Sequence, residues 1–351
     1  QLKRIFNGKT WNHWSKELRE RDEQALAEIV ETYNNEIERI CFGQFIFDQH
    51  WKEIKQYAND KGIDIIGDIP IYIDYESADV WANPELFKLK KDKSMGAVAG
   101  VPPDYFNENG QLWGMPLYHW ENMRKNKYGW WINRLAKNLE WFDLLRLDHF
   151  RGFSAFWEVP ADSENAINGK WTKGPGADFF HAVQNEFPHM PLIAEDLGQI
   201  DQPVYDLRDQ FQLPGMRVVQ FGFDEDMPFL QHCPKNFSYN SIAYTGTHDN
   251  NTIKGWFRKE ANKETLSRYK SFTGNTLKKK NCHLEMIRTT FSSVAKLAVI
   301  PLQDWLGLNE KSRMNFPSTT EGNWLWKLKE SQIDKKVEKK IRKYVKRFGR
   351  Y

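Results

Sequence analysis

Apolar residues recur along this chain with two different periods. Over residues 12–60, in "SKELRERDEQALAEIVETYNNEIERICFGQFIF" and "DQHWKEIKQYANDKG", the spacing is helical, and Gly62 stands where a helix C-cap belongs. "IDIIGDIPIYI" then gives a short β-branched run, the mark of a buried strand. Residues 74 to about 123 show no clear period and are rich in Pro, Gly, Asn and aromatics, which predicts a long functional loop region. From there the chain alternates. "NKYGWWINRLAKNLEWF", "GADFFHAVQNEF" and "QPVYDLRDQFQLPG" read as helices, as do residues 252–296. Between them "DLLRLDHF", "MPLIAEDLG", "MRVVQFGF", "YNSIAYTGTHDN" and "AKLAVIPLQDWLG" read as strands.

Short apolar strands alternating with helices predict a parallel sheet. Six such strands exceed one half of a doubly wound fold, and no GxGxxG loop is present. A (β/α)8 barrel with two strands unaccounted for fits better. No repeat, low-complexity stretch or linker interrupts the pattern. The expectation is therefore one domain over residues 1–351, with a loop and helical insertion at about 74–140.

Polar residues gather where the strands run out. Asp68 follows "IDIIG", Asp148 and His149 follow "LLRL", and Glu195 and Asp196 follow "PLIA". His248, Asp249 and Asn250 follow "IAYTGT", and Asp304 follows "AVIPLQ". In a barrel the C-terminal strand ends converge on one mouth, where active sites lie. One acidic strand end is ordinarily a cap or a salt bridge; acids at five strand ends are costly to bury together unless paired or used. Glycosidic bond cleavage uses such a set. A retaining enzyme needs an ionised carboxylate nucleophile and a second carboxyl that protonates the leaving oxygen. Arg146, two residues before Asp148, shares its face of the strand and can hold it ionised. The apolar lead-in to Glu195 supplies the desolvation that raises an acid's pKa. Asp249 could hold sugar hydroxyls and stabilise a cationic transition state. Divalent metal binding is the rival reading of these acids.

Composition bears on that choice. The chain carries 15 Trp, 13 Tyr and 23 Phe, many on loops such as "PPDYFNENGQLWGMPLYHW". Flat rings beside polar groups suit pyranose recognition, which the metal reading leaves unexplained; packing of loops on the body is the plainer alternative. A net charge of +3 does not argue for nucleic acid. The C-terminal lysines, with Val337, Ile341 and Val345 at four-residue spacing, predict an amphipathic helix with a solvated basic face. No stretch reads as a signal peptide or a membrane span, and Cys41, Cys233 and Cys282 share no close spacing, so a reducing, cytoplasmic setting is expected.

The motifs resemble those of the 4-α-glucanotransferases (amylomaltase, or disproportionating enzyme), glycoside hydrolase family 77. The matching stretches are "GDIPIYIDYESADVWANPELF", "GVPPDYFNENGQLWGMPLYHW", "LRLDHFRGF", "IAEDLG", "YTGTHDNNT", "PLQDWLGL" and "RMNFP". They run in family order from residue 67 to about 317. The resemblance implies a barrel of the α-amylase superfamily type that lacks its first two strands. It implies transfer of α-1,4-glucan segments between maltooligosaccharides, with glucose as an acceptor and no cofactor or metal. Asp148 looks like the nucleophile, Glu195 like the acid/base and Asp249 like the transition-state stabiliser. Arg146, His248 and Asp68 match substrate-site positions, as do Gln111, Trp113 and Asp104 on the acceptor side and Asn315 after the last strand. His149 is left as a structural or supporting residue. Asn251 stands where many members have Asp. An α-glucan hydrolase and an inactive glucan-binding fragment are the alternatives.

Overall fold

β4 (Leu144–Leu147) is four residues long, and three of them are buried. The computed structural model containing it describes residues 1–103, 107–317 and 319–351. The chain divides into two compact units, Gln1–Leu213 and Pro214–Tyr351.

Among the described residues the first unit holds β4 and six further strands. In chain order these are β1 (Ile66–Ile69), β2 (Ala97–Val101), β3 (Gln111–Pro116), β5 (Ala155–Pro160), β6 (Lys170–Lys173) and β7 (Leu192–Ala194). β4 pairs in parallel with β1 on one side and β7 on the other. Helices Gly129–Trp141 and Ala177–Glu186 contribute Trp131, Leu135, Phe179, Phe180 and Val183 to a core shared with Ile69, Leu145, Leu147, Leu192 and Ala194. A strand covered on both faces needs apolar residues on both, which is why these segments read as continuous hydrophobic runs.

The structure corrects the expectation of a long loop region after residue 74. β2 and β3 pair there as antiparallel strands, and β5 and β6 extend them into a four-stranded sheet in the order β3-β2-β5-β6. The alternation was hidden because the register of β2 on β3 shifts between Val98 and Gly100. Gly100 is required at that point: a Cβ would meet the Gln111 carbonyl oxygen at 2.5 Å.

Residues 12–60 are largely helical, ending in the long helix Asn34–Asn59. No residue of that helix is buried. Phe42, Phe45 and Phe47 are exposed, and Trp51 donates its indole N–H to the carbonyl of Trp141 at 2.9 Å.

The second unit holds β8 (Gly215–Val218), β9 (Ser241–Tyr244) and β10 (Leu297–Val299), parallel and in that order. Helices Ile253–Lys259, Lys263–Thr273 and Cys282–Phe291 occupy the span read as helical. The basic C-terminal helix runs Lys335–Phe348, starts on the Asp334 cap and packs Ile341, Tyr344, Val345 and Phe348 against Ile287, Phe291 and Trp305. Each unit thus has the parallel α/β character expected of a (β/α) barrel. Among the described residues no helix is long and apolar enough to cross a membrane.

Candidate active site

In the first unit, Asp68 stands in β1, Arg146 faces it in register on β4, and Asp148 and Glu195 follow β4 and β7 directly. The ladder continues past the strands: Asp148 N–H donates to the Ile69 carbonyl at 3.0 Å, and Glu195 N–H to that of Leu147 at 3.2 Å. Neighbouring strand ends therefore fix the backbone under both carboxylates.

Arg146 joins the acids. Its Nη1 donates to Asp68 Oδ1 and Oδ2 at 2.7 and 2.8 Å, and lies 2.9 Å from Asp148 Oδ1. Burial disfavours its charge, but the carboxylates of Asp148, Asp68 and Glu195 outweigh this and raise its pKa. The guanidinium offsets part of the charge of these acids. Among the described residues, no group of three or more His, Cys, Asp or Glu is placed to hold a metal ion.

Glu195 differs from its neighbours in exposure. It is 8% exposed, whereas the side chains of Asp68 and Asp148 are 43% and 41% exposed. Burial pushes its carboxyl up to about 7; Arg146 opposes the rise, Asp148 adds to it, and the amides of Leu197 and His149 oppose it. Those amides donate to Oε1 at 2.9 Å and Oε2 at 2.8 Å. Two acids in one site, one buried and poised near neutrality and one paired with Arg, can divide the roles of proton donor and nucleophile.

Gln111 and Trp113 share one face of β3, and the indole N–H donates to Gln111 Oε1 at 3.1 Å. The Trp113 ring stands edge-on to His149 with centroids 4.8 Å apart. Beside them Val101, Gln111, His149, Arg151, Trp171 and Gly198 line a cavity of about 140 Å³. Asp104 lies outside the described residues.

In the second unit, His248 Nε2 lies 3.4 Å from Asp249 Oδ2, and Asn315 donates to Asp249 Oδ1 at 2.6 Å. Arg313 donates to the carbonyls of Asp249 and Asn315 at 2.6 and 2.7 Å, and the ring of Trp324 lies 5.3 Å from that of His248. Sequence reading singled out neither Arg313 nor Trp324. Arg313 stands within "RMNFP" but outside any strand, so two-residue spacing carried no signal for it.

Two acids read as strand-end residues serve the scaffold instead, and Asp304 lies within the helix Leu302–Leu306. Asp196 is fully buried and paired with Arg208 at 2.5 Å. Asp304 accepts from the Thr245 hydroxyl at 2.7 Å and from the Ile253 amide at 2.8 Å, anchoring the start of a helix. Asn251 has a local reason to replace Asp: its Nδ2 donates to Glu260 Oε1 at 2.7 Å, where a carboxylate would face a carboxylate.

A family model described as 4-alpha-glucanotransferase, glycoside hydrolase family 77, matches residues 1–333. The chain belongs to this family. It is 45% identical over 329 residues to the 4-alpha-glucanotransferase of Aquifex aeolicus, covering 94% of this chain and 67% of that protein. It is 44% identical over 334 residues to that of Thermus thermophilus, covering 93% and 66%. The chain thus spans about two thirds of the length of the curated relatives it matches. The amylomaltase of Streptococcus agalactiae, solved in complex with acarbose, superposes with a TM-score of 0.94 at 36% identity, over 99% of this chain and 70% of that one. This family 77 fold is the α/β barrel class that the strand pattern implied.

Proposed function

We propose that this family 77 chain carries the machinery of a 4-α-glucanotransferase, moving α-1,4-glucan segments between maltooligosaccharides by a retaining double displacement. The observation that carries the reading is the pairing of Arg146 with Asp148 beside the buried Glu195.

In the first step the Asp148 carboxylate attacks C1 of the donor sugar. The bond from C1 to the glycosidic oxygen breaks, and that oxygen takes the Glu195 proton. In the second step the 4-hydroxyl of an acceptor, a maltooligosaccharide or glucose, gives its proton to Glu195. Its oxygen bonds C1, and Asp148 leaves. Arg146 holds Asp148 in place, and Asp68, which shares that guanidinium, is assigned to substrate on the family resemblance. Gln111 and Trp113 are assigned to the acceptor, with Asp104 on the family resemblance. Asp249 is assigned to stabilise the cationic transition state, with His248 and Asn315 on substrate, also on that resemblance. The chemistry uses protein side chains alone and calls for no cofactor. Three free cysteines, one of them exposed, support a cytoplasmic setting.

Incubation with maltotriose tests the reading. Glucose together with maltooligosaccharides longer than the substrate is the expected product set. Shorter products alone would make the chain an α-glucan hydrolase, and binding without turnover would make it a glucan-binding protein.

A further inference from the structure

We propose that His149 is a positioning residue for Glu195, its backbone amide holding the acid/base while its ring packs against the strand carrying Gln111 and Trp113. The proposal rests on the assignment of Glu195 as acid/base.

The backbone is the first observation. His149 has a φ of +49°, a left-handed conformation that side-chain-bearing residues seldom adopt. In that conformation its N–H donates to Glu195 Oε2 at 2.8 Å. The next amide, of Phe150, donates to the Glu195 carbonyl at 3.2 Å. The turn after β4 therefore grips Glu195 by both its side chain and its backbone.

The imidazole is the second. Its edge-on contact with Trp113 leads to Gln111 through the indole hydrogen bond. Its Nε2 is buried and, among the described residues, has no hydrogen-bond partner. Burial, and then the charge of Arg151, lower its pKa to about 4, so the ring is neutral near pH 7. A neutral ring with an idle nitrogen acts here through its shape. Gly152 keeps the space for it: a Cβ there would stand 3.2 Å from His149 Cδ2 and 2.6 Å from Ile71 Cδ1. The contacts Gln111 to Trp113 to His149 to Glu195 form one continuous chain, and the charged groups acting on Glu195 are Arg146 and Asp148.

The test compares His149→Asn with His149→Ala, following the Glu195 carboxyl by 13C NMR titration and the pH profile of kcat/KM on maltotriose. Asn tolerates the left-handed conformation, so the amide stays on Glu195 while the ring contact is lost. This variant should titrate as wild type and show a raised KM for glucose as acceptor. Ala lets the turn relax and the amide leave, which removes a bond that favours the carboxylate. Its Glu195 should titrate at higher pH, the alkaline limb of kcat/KM should follow, and kcat/KM should fall ~10- to 100-fold. Should His149→Ala fail to fold, His149→Gln, which likewise lacks asparagine's tolerance of the left-handed conformation, should move the titration in the same direction. A Glu195 titration unchanged in whichever of these two variants folds overturns the proposal. The titration needs no turnover, so a wild-type chain that leaves maltotriose intact sinks the glucanotransferase reading separately.

Discussion

One nitrogen of Arg146, Nη1, serves two carboxylates: it lies 2.9 Å from Asp148 Oδ1 and 2.7 Å from Asp68 Oδ1. The guanidinium is nearly buried, while both acids keep access to water. The charge that organises the site is therefore held by the strand, and the groups it organises face solvent.

Replacement of Arg146 by Met should lower kcat/KM for maltotriose by about 10²- to 10³-fold, the scale of losing one fixed electrostatic partner. Stability should fall by only about 1–2 kcal/mol, because the freed carboxylates are solvated. Arg146→Lys should recover part of the activity, since an ammonium restores the charge without the planar fork. Steady-state kinetics and thermal melts of the three proteins check this. Full activity in Arg146→Met would remove the guanidinium from the mechanism.

The pH dependence follows from Glu195. Its carboxyl is raised from 4.5 to about 7 by burial, and the first step needs it protonated. The rate should therefore fall on an alkaline limb near pH 7, and Glu195→Gln should lose that limb along with about 10²- to 10⁴-fold of the rate. Stability moves in the same sense. Between 4.5 and about 7 the folded state binds more protons than the unfolded one, so this group's contribution declines as pH rises through that window. Melting temperatures of wild type and Glu195→Gln across pH 5 to 8 should diverge accordingly.

Asp148→Asn keeps the shape of the side chain and removes its nucleophilicity. Transfer should drop by at least ~10³-fold, as when one member of a covalent-catalysis unit is lost. The partly exposed position predicts little change in melting temperature. Mass spectrometry with a slow donor should detect a glycosyl adduct in wild type and none in the variant; unchanged turnover would falsify the nucleophile assignment.

Asp304 tests the distinction between a site acid and a scaffold acid. Burial raises its carboxyl to about 6, opposed by its bonds from Ile253 and Thr245. Asp304→Ala should cost about 2–3 kcal/mol by leaving those donors without an acceptor. Asp304→Asn can still accept from the Ile253 amide and donate to the Thr245 hydroxyl. Because the buried carboxylate loses ground as pH rises through 6, the Asn variant should gain on wild type between pH 5 and 7. Equal melting temperatures for the Ala variant and wild type would contradict the anchoring role.

The sequence by itself determined the strands and helices whose periodicity is local. β4 and β7 are apolar runs, and two-residue spacing put Arg146 on the face of Asp148 because side chains alternate along any strand. The motif resemblance named Asp148, Glu195 and Asp249 for the same reason: each lies in an unbroken stretch of chain. Local spacing cannot say which strands become neighbours. The tertiary structure alone gave Arg146 its second partner, Asp68, 78 residues away. It alone separated Glu195, poised near neutrality, from Asp196, bound to Arg208, although the two are adjacent in sequence and both buried. It also built an antiparallel sheet from residues whose alternation a register shift had concealed. Desolvation and pairing depend on what the rest of the chain brings close, and so does the role of each acid.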